Sequence, residues 1–175
     1  TLREDTEITG TENLGISTLD LNGYDLTVTG SLGVVDFTVS GNAKVPGDLT
    51  INYGTLAFEG GQLEVDGNVK MGPSAKIEMD TEDEKLLVHG NIEMNVPGKQ
   101  YSSASKAVVT MEAGTLELEG DLTVIGYGAL TATGESRVLI TGTEKQNLEC
   151  SGVVIDNLYL KNPNVNLTGL SKFTL

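Results

Sequence analysis

One short pattern returns along this chain and narrows what it can fold into more than any other feature. Glycine is followed by aspartate or asparagine, then an apolar residue, any residue, and a second apolar residue. The pattern stands at Gly47-Asp-Leu-Thr-Ile51, Gly67-Asn-Val-Lys-Met71, Gly90-Asn-Ile-Glu-Met94 and Gly120-Asp-Leu-Thr-Val124. Tyr24-Asp-Leu-Thr-Val28 reads as the same unit with Tyr in place of Gly, and Asn157-Leu-Tyr-Leu160 as a last, degenerate copy. Counted from Asp25, the Asp/Asn positions lie 23, 20, 23 and 30 residues apart, the last interval holding a Ser-rich stretch. A second motif, Gly-small-apolar-x-apolar, recurs at Gly54, Gly114 and Gly128, and a third leads into the first at Leu63-Glu-Val-Asp-Gly67 and Leu116-Glu-Leu-Glu-Gly120.

Between the glycines, apolar residues fall at every second position, as in Leu49-Thr-Ile51, Leu56-Ala-Phe58, Leu63-Glu-Val65 and Ile77-Glu-Met79. A period of two places them on one face of a strand and their Thr, Glu and Asp neighbours on the other. Each run is short and bounded by turn formers, and helix signals are nearly absent. Short strands repeating every 20–25 residues are the mark of a solenoid, whose units bury their apolar faces only by stacking. A β-sandwich accounts for alternation but not for one dipeptide returning at a near-fixed interval.

The reading is therefore an all-β chain, one domain over 1–175: a single parallel β-solenoid, a right-handed β-helix of about seven coils, somewhat over 30 Å tall at about 4.8 Å per coil. Residues 1–15 read as an N-terminal cap, with Arg3-Glu-Asp-Thr-Glu7 closing one end, and 95–107 as a loop insertion. Both ends read as cut from a longer protein, leaving open edges and end-to-end self-association as an expectation. With 38% hydrophobic but 5% aromatic residues, the core must be Leu, Val, Ile and Met. The motif glycines are expected to permit corner conformations, and each Asp or Asn to bond backbone at its own corner. Leu56→Asp or Leu122→Asp should abolish structure, whereas Glu64→Lys and Glu117→Lys should be nearly silent.

The order of these motifs carries a resemblance. Leu19-Asp-Leu-Asn-Gly-Tyr-Asp-Leu-Thr-Val-Thr-Gly30 resembles the opening repeat of β-helical proteins exported by Gram-positive, often clostridial, bacteria. The similarity runs through Gly60-Gly-Gln-Leu-Glu-Val-Asp-Gly-Asn-Val69 and Ala113-Gly-Thr-Leu-Glu-Leu-Glu-Gly-Asp-Leu122 to the turn Gly142-Thr-Glu-Lys-Gln146, and covers about Leu19 to Leu167. More distantly the chain is similar to coils of filamentous haemagglutinin-like adhesins. The resemblance implies a secreted or surface location and a stalk or adhesin-like role, and it brings no catalytic residues.

Composition limits the partners. Twenty-five acidic side chains against 11 basic ones give a formal net charge of −14, which repels phosphate backbones and disfavours nucleic acid as a partner. Apolar runs of only a few residues predict no membrane insertion. A lone Cys150 forms no internal disulfide and reads as a small buried residue. Acid–base chemistry on a β-helix needs clustered carboxylates or carboxylates beside a cation; the two arginines, Arg3 and Arg137, sit in no acidic run. The outward acids Glu64, Asp66, Glu117, Glu119 and Asp121 read as solvated strand faces.

The densest charge run offers Asp80, Glu82, Asp83 and Glu84 as oxygen ligands for Ca²⁺, though without the glycine and regular spacing of calcium loops. His89, the only histidine, holds the position of Asp66 and Glu119 in sister repeats, which makes it an outward corner residue rather than a ligand or base. No cofactor is expected. Tyr24, Tyr53 and Tyr127 offer stacking surfaces for sugar. The expected function is a non-catalytic, adhesin-like structural segment whose partner is a surface glycan or protein. A carbohydrate-binding module is the first alternative and a polysaccharide-degrading β-helix enzyme the second.

Overall fold

The computed structural model describes residues 1–9, 14–94, 105–124, 126–149, 152–169 and 172–173. The predicted loop at 95–107 falls largely outside these residues, and Cys150 lies outside them too. Strands and turns make up the described chain; no helix in it is long and apolar enough to cross a membrane.

Each coil carries three short strands, as in Gln62–Val65, Val69–Met71 and Ala75–Met79. Strands one coil apart pair in parallel and in register, for example Leu63 with Leu86 and Val65 with Val88. The first strands of successive coils form an eight-stranded sheet, here face 1, running from Thr6–Ile8 to Leu158–Leu160. Eight strands give seven turns, as the repeat spacing predicts. Faces 2 and 3 belong to one fourteen-stranded sheet, because Leu32–Val39 rounds their shared corner unbroken. Its first half pairs with Leu49–Ile51 and its second with Gly54–Phe58. Thr6–Ile8 pairs in parallel with Leu26–Val28, so this part of the N-terminal stretch is a strand of face 1 itself.

Register turns alternation into columns. On face 1, Leu63, Leu86, Leu116 and Val138 point inward one above another; on face 2, Leu49, Val69, Ile92 and Leu122 do so; on face 3, Leu56, Ile77, Val109 and Leu130. All are at most 2% exposed. Burying each such side chain is worth about 1.5–3 kcal/mol. Leu56 and Leu122 are core residues, and Glu64 and Glu117 lie on the outer surface, as the period of two predicts.

Two expectations change in kind. The corner Asp and Asn side chains bond the next coil rather than their own. Asp48 Oδ1 accepts from Asn68 N at 2.8 Å, Asn68 Oδ1 from Asn91 N, Asn91 Oδ1 from Asp121 N, and Asp121 Oδ1 from Asn147 N. Ser31 Oγ begins this ladder by accepting from Asp48 N. Asp25 belongs to a different corner: it accepts from Asn42 N and donates its own N–H to Asp5 Oδ1. Tyr24-Asp25 therefore opens a face 1 strand, and the equivalent of Gly47-Asp48 one coil earlier is Gly30-Ser31. Gly54 and Gly114 of the second motif do take the left-handed backbone, with φ of 89° and 79°, but Gly47, Gly67, Gly90 and Gly120 of the first motif have no positive φ. They are glycine because coils touch there. A Cβ on Gly90 would lie 2.4 Å from Gly67 O, and one on Gly120 would lie 2.3 Å from Gly90 O. Buried Gln146 ends this column, donating from Nε2 to Gly120 O at 2.7 Å.

Candidate functional site

Because coils stack in register, the outward residues of face 1 also fall into columns. Strand pairing aligns Lys44, Glu64, Leu87 and Glu117, followed by Leu139 and Tyr159. One corner further on, backbone bonds from Asp66 N to Val45 O, His89 N to Val65 O and Glu119 N to Val88 O align Asp66, His89 and Glu119. The repeat equivalence of these three positions predicts that alignment. What it puts in contact is new: the only histidine lies between acids contributed by the coil before and the coil after.

His89 Nδ1 is 2.7 Å from Glu119 Oε2. Its Nε2 is 3.5 Å from Glu64 Oε1 and 3.8 Å from Asp66 Oδ1. Lys44 completes the group, with Nζ 3.4 Å from Asp66 Oδ1 and bonded to Glu64 Oε1. The bond to Glu119 raises the His89 pKa above its ordinary value; partial burial opposes this, and Glu64 and Asp66 reinforce it. The Lys44 bond holds the Glu64 carboxyl below the usual range against a smaller desolvation effect. Glu64, Asp66 and His89 place one ligand atom each within 4.8 Å of one another, which suits a cation. Beside them runs a shallow depression of about 320 Å³, lined by Asn42, Lys44, Gln62, Glu64, Lys85 and Leu87 among others. Lys85 crosses one coil step to Glu117 at 2.8 Å. Glu64 and Glu117 are thus solvent-facing but paired, so reversing either charge sets ammonium against ammonium.

The calcium run folds differently from a ligand loop. Glu84 is 1% exposed, and its carboxylate accepts backbone N–H bonds from Gly60 at 3.1 Å, Asp80 at 2.7 Å and Thr81 at 3.1 Å. Asp83 Oδ1 accepts from Thr81 Oγ1. Glu84 staples its turn to the preceding coil, while Asp80, Glu82 and Asp83 are exposed.

Tyr24, Tyr53 and Tyr127 are 36%, 59% and 56% exposed. Extending the strand register places Tyr53 and Tyr127 at one corner, three coil steps or about 14 Å apart, with Ser74 and Lys106 between them. Tyr24 lies at a different corner, level with Gly41. The three tyrosines do not share a surface. Tyr159, 47% exposed, lines a second depression of about 320 Å³ with Glu82, Gly134, Glu135, Arg137 and Asn157. Arg137 thus shares a depression with Glu135, two residues before it, and with Glu82, which is distant in sequence. A hydrogen bond with Glu82 raises the Glu135 pKa, with Arg137 opposing. The sequence places Glu135 beside Arg137 but gives no sign of Glu82; the strand pairing of Thr115 with Arg137 brings its coil onto the turn beside Glu82.

The fold and its surface define a parallel β-solenoid repeat protein. No protein-family model matches the chain, and no curated protein or solved structure matches it.

Proposed function

We propose that this chain is a non-catalytic, rigid segment of an exported or surface-attached bacterial protein, spacing or presenting other parts and making adhesin-like contacts along one face. The observation that carries the reading is the unbroken ladder from Ser31 through Asp48, Asn68, Asn91 and Asp121 to Asn147, which ties each coil to the next. A stack whose side chains bond coil to coil resists bending and transmits tension along its axis. The acidic surface, with a net charge of −14, keeps a repetitive β surface soluble. The order of motifs resembling exported β-helical proteins supports the location, and a surface glycan or protein is the partner class that fits.

A carbohydrate-binding module is the second reading, favoured by Tyr159 beside Arg137, Glu135 and Asn157, an aromatic face rimmed by hydrogen-bonding groups. A glycan array separates the two: the structural reading expects no specific glycan, while binding abolished by Tyr159→Ala replaces it. Incubation with pectins and other polyuronates tests the polysaccharide-degrading alternative. Reducing ends or unsaturated products that disappear in Glu135→Gln would overturn the non-catalytic reading.

A further inference from the structure

We propose that Glu64, Asp66 and His89 form a binding site for a divalent transition-metal ion such as Zn²⁺, with Glu119 as the outer partner of the histidine. The four residues come from three successive coils, and the register of face 1 fixes their spacing. Around a tetrahedral ion with bonds of about 2.0–2.1 Å, neighbouring ligand atoms are separated by about 3.3 Å. His89 Nε2 already stands 3.5 Å from Glu64 Oε1 and 3.8 Å from Asp66 Oδ1, within small side-chain adjustments of that separation.

The other ring nitrogen adds an independent geometric argument. A metal-binding histidine characteristically gives its second N–H to a carboxylate, which fixes the tautomer and makes the free nitrogen a better ligand. The 2.7 Å approach of His89 Nδ1 to Glu119 Oε2 is that arrangement. It turns Nε2 toward the other two acids. One imidazole with two carboxylates is a mixed nitrogen and oxygen set, which suits Zn²⁺ or Mn²⁺ better than Ca²⁺. Open positions remain for water or for an oxygen-bearing partner group.

Lys44 defines the competitor. Its ammonium bonds Glu64 Oε1 and lies 3.4 Å from Asp66 Oδ1, supplying the positive charge that the ion would supply. Metal binding therefore displaces Lys44. A metal merely attracted to diffuse surface charge would show no such one-for-one exchange.

The test is a calorimetric titration of Zn²⁺ into the untagged full chain, with nitrogen-15 spectra of the imidazole, which report His89 alone because it is the only histidine. The expected result is one saturable equivalent that shifts the Nε2 resonance. His89→Gln and Asp66→Asn should each weaken binding at least tenfold, and Glu119→Gln by about 10–100-fold. Lys44→Met should tighten it several-fold, with circular dichroism confirming that each variant keeps its strands. Absence of a saturable equivalent, unchanged affinity in His89→Gln, or unchanged or weaker affinity in Lys44→Met would overturn the site.

Discussion

Gly90 shows how tightly this fold constrains single residues. Its place is set by the carbonyl of Gly67 on the coil below, 2.4 Å from where a Cβ would sit. The backbone of one coil must therefore move for alanine to fit. Gly90→Ala should cost about 1–3 kcal/mol, read as a fall in melting temperature, whereas Gly15→Ala, with open space around its Cβ, should stay within about 0.5 kcal/mol. Asn91 gives a second case. Its Oδ1 accepts the Asp121 N–H, and Asn91→Ala leaves that donor unpaired at a cost of about 1–3 kcal/mol; an unchanged denaturant midpoint would show the ladder to be incidental. At this scale the sequence shows which residues repeat but not what the repetition touches. The equivalence of Asp66, His89 and Glu119 is legible in the motif alone. That equivalent positions lie one coil apart, and so put an imidazole between acids, follows only once strand register is known.

Single strands show why the period of two was a reliable guide to faces and a poor guide to phase. Alternation in Leu26-Thr-Val28 and Leu49-Thr-Ile51 is identical, yet the first strand lies on face 1 and the second on face 2. Three faces with similar inward pairs look alike locally, and only pairing such as Leu26 with Ala43 separates them. The outward side of a strand is also less passive than alternation suggests. Glu117 bonds Lys85, which with weaker help from Thr141 and Lys161, and against a desolvation effect, holds its carboxyl below the usual range. A carboxyl whose folded pKa is depressed contributes stability above its unfolded value near 4.5, and that stability is lost as pH falls through the folded pKa. Wild type should therefore melt above Glu117→Gln at pH 7, by no more than about 1 kcal/mol for an ion pair this open to water. The gap should narrow at an acidic pH below the folded pKa. Melts that differ equally at both pH values would place the effect in packing rather than charge.

Taken whole, the molecule is close to one-dimensional: each coil meets only the coils above and below it, so stability is approximately a sum of coil terms and neighbour terms. A prediction belongs to that scale. Gly47 and Gly67 are equivalent, as are Asp48 and Asn68, so deleting residues 47–66 removes one full period and joins Pro46 to Gly67. In the shortened chain Gly67 stacks on Gly30, Val69 on Leu32 and Ile77 on Phe37, each replacing a like residue of the lost coil. Asn68 N meets Ser31 Oγ in place of Asp48 Oδ1. The deletion also removes the Gly60 N–H that Glu84 accepts and the pairs that Asp48, Glu64 and Asp66 make with Lys70, Lys44 and His89. The deletion should still fold, with unchanged strand content per residue, a moderately lower melting temperature and a long axis shorter by about 4.8 Å in solution scattering. Removing only residues 47–56 should unfold it, since half a coil sets face 2 strands against face 3 strands and breaks every column above the cut. If the half-coil deletion melts as cooperatively as the full-coil one, the columns and the Asp/Asn ladder do not define the register.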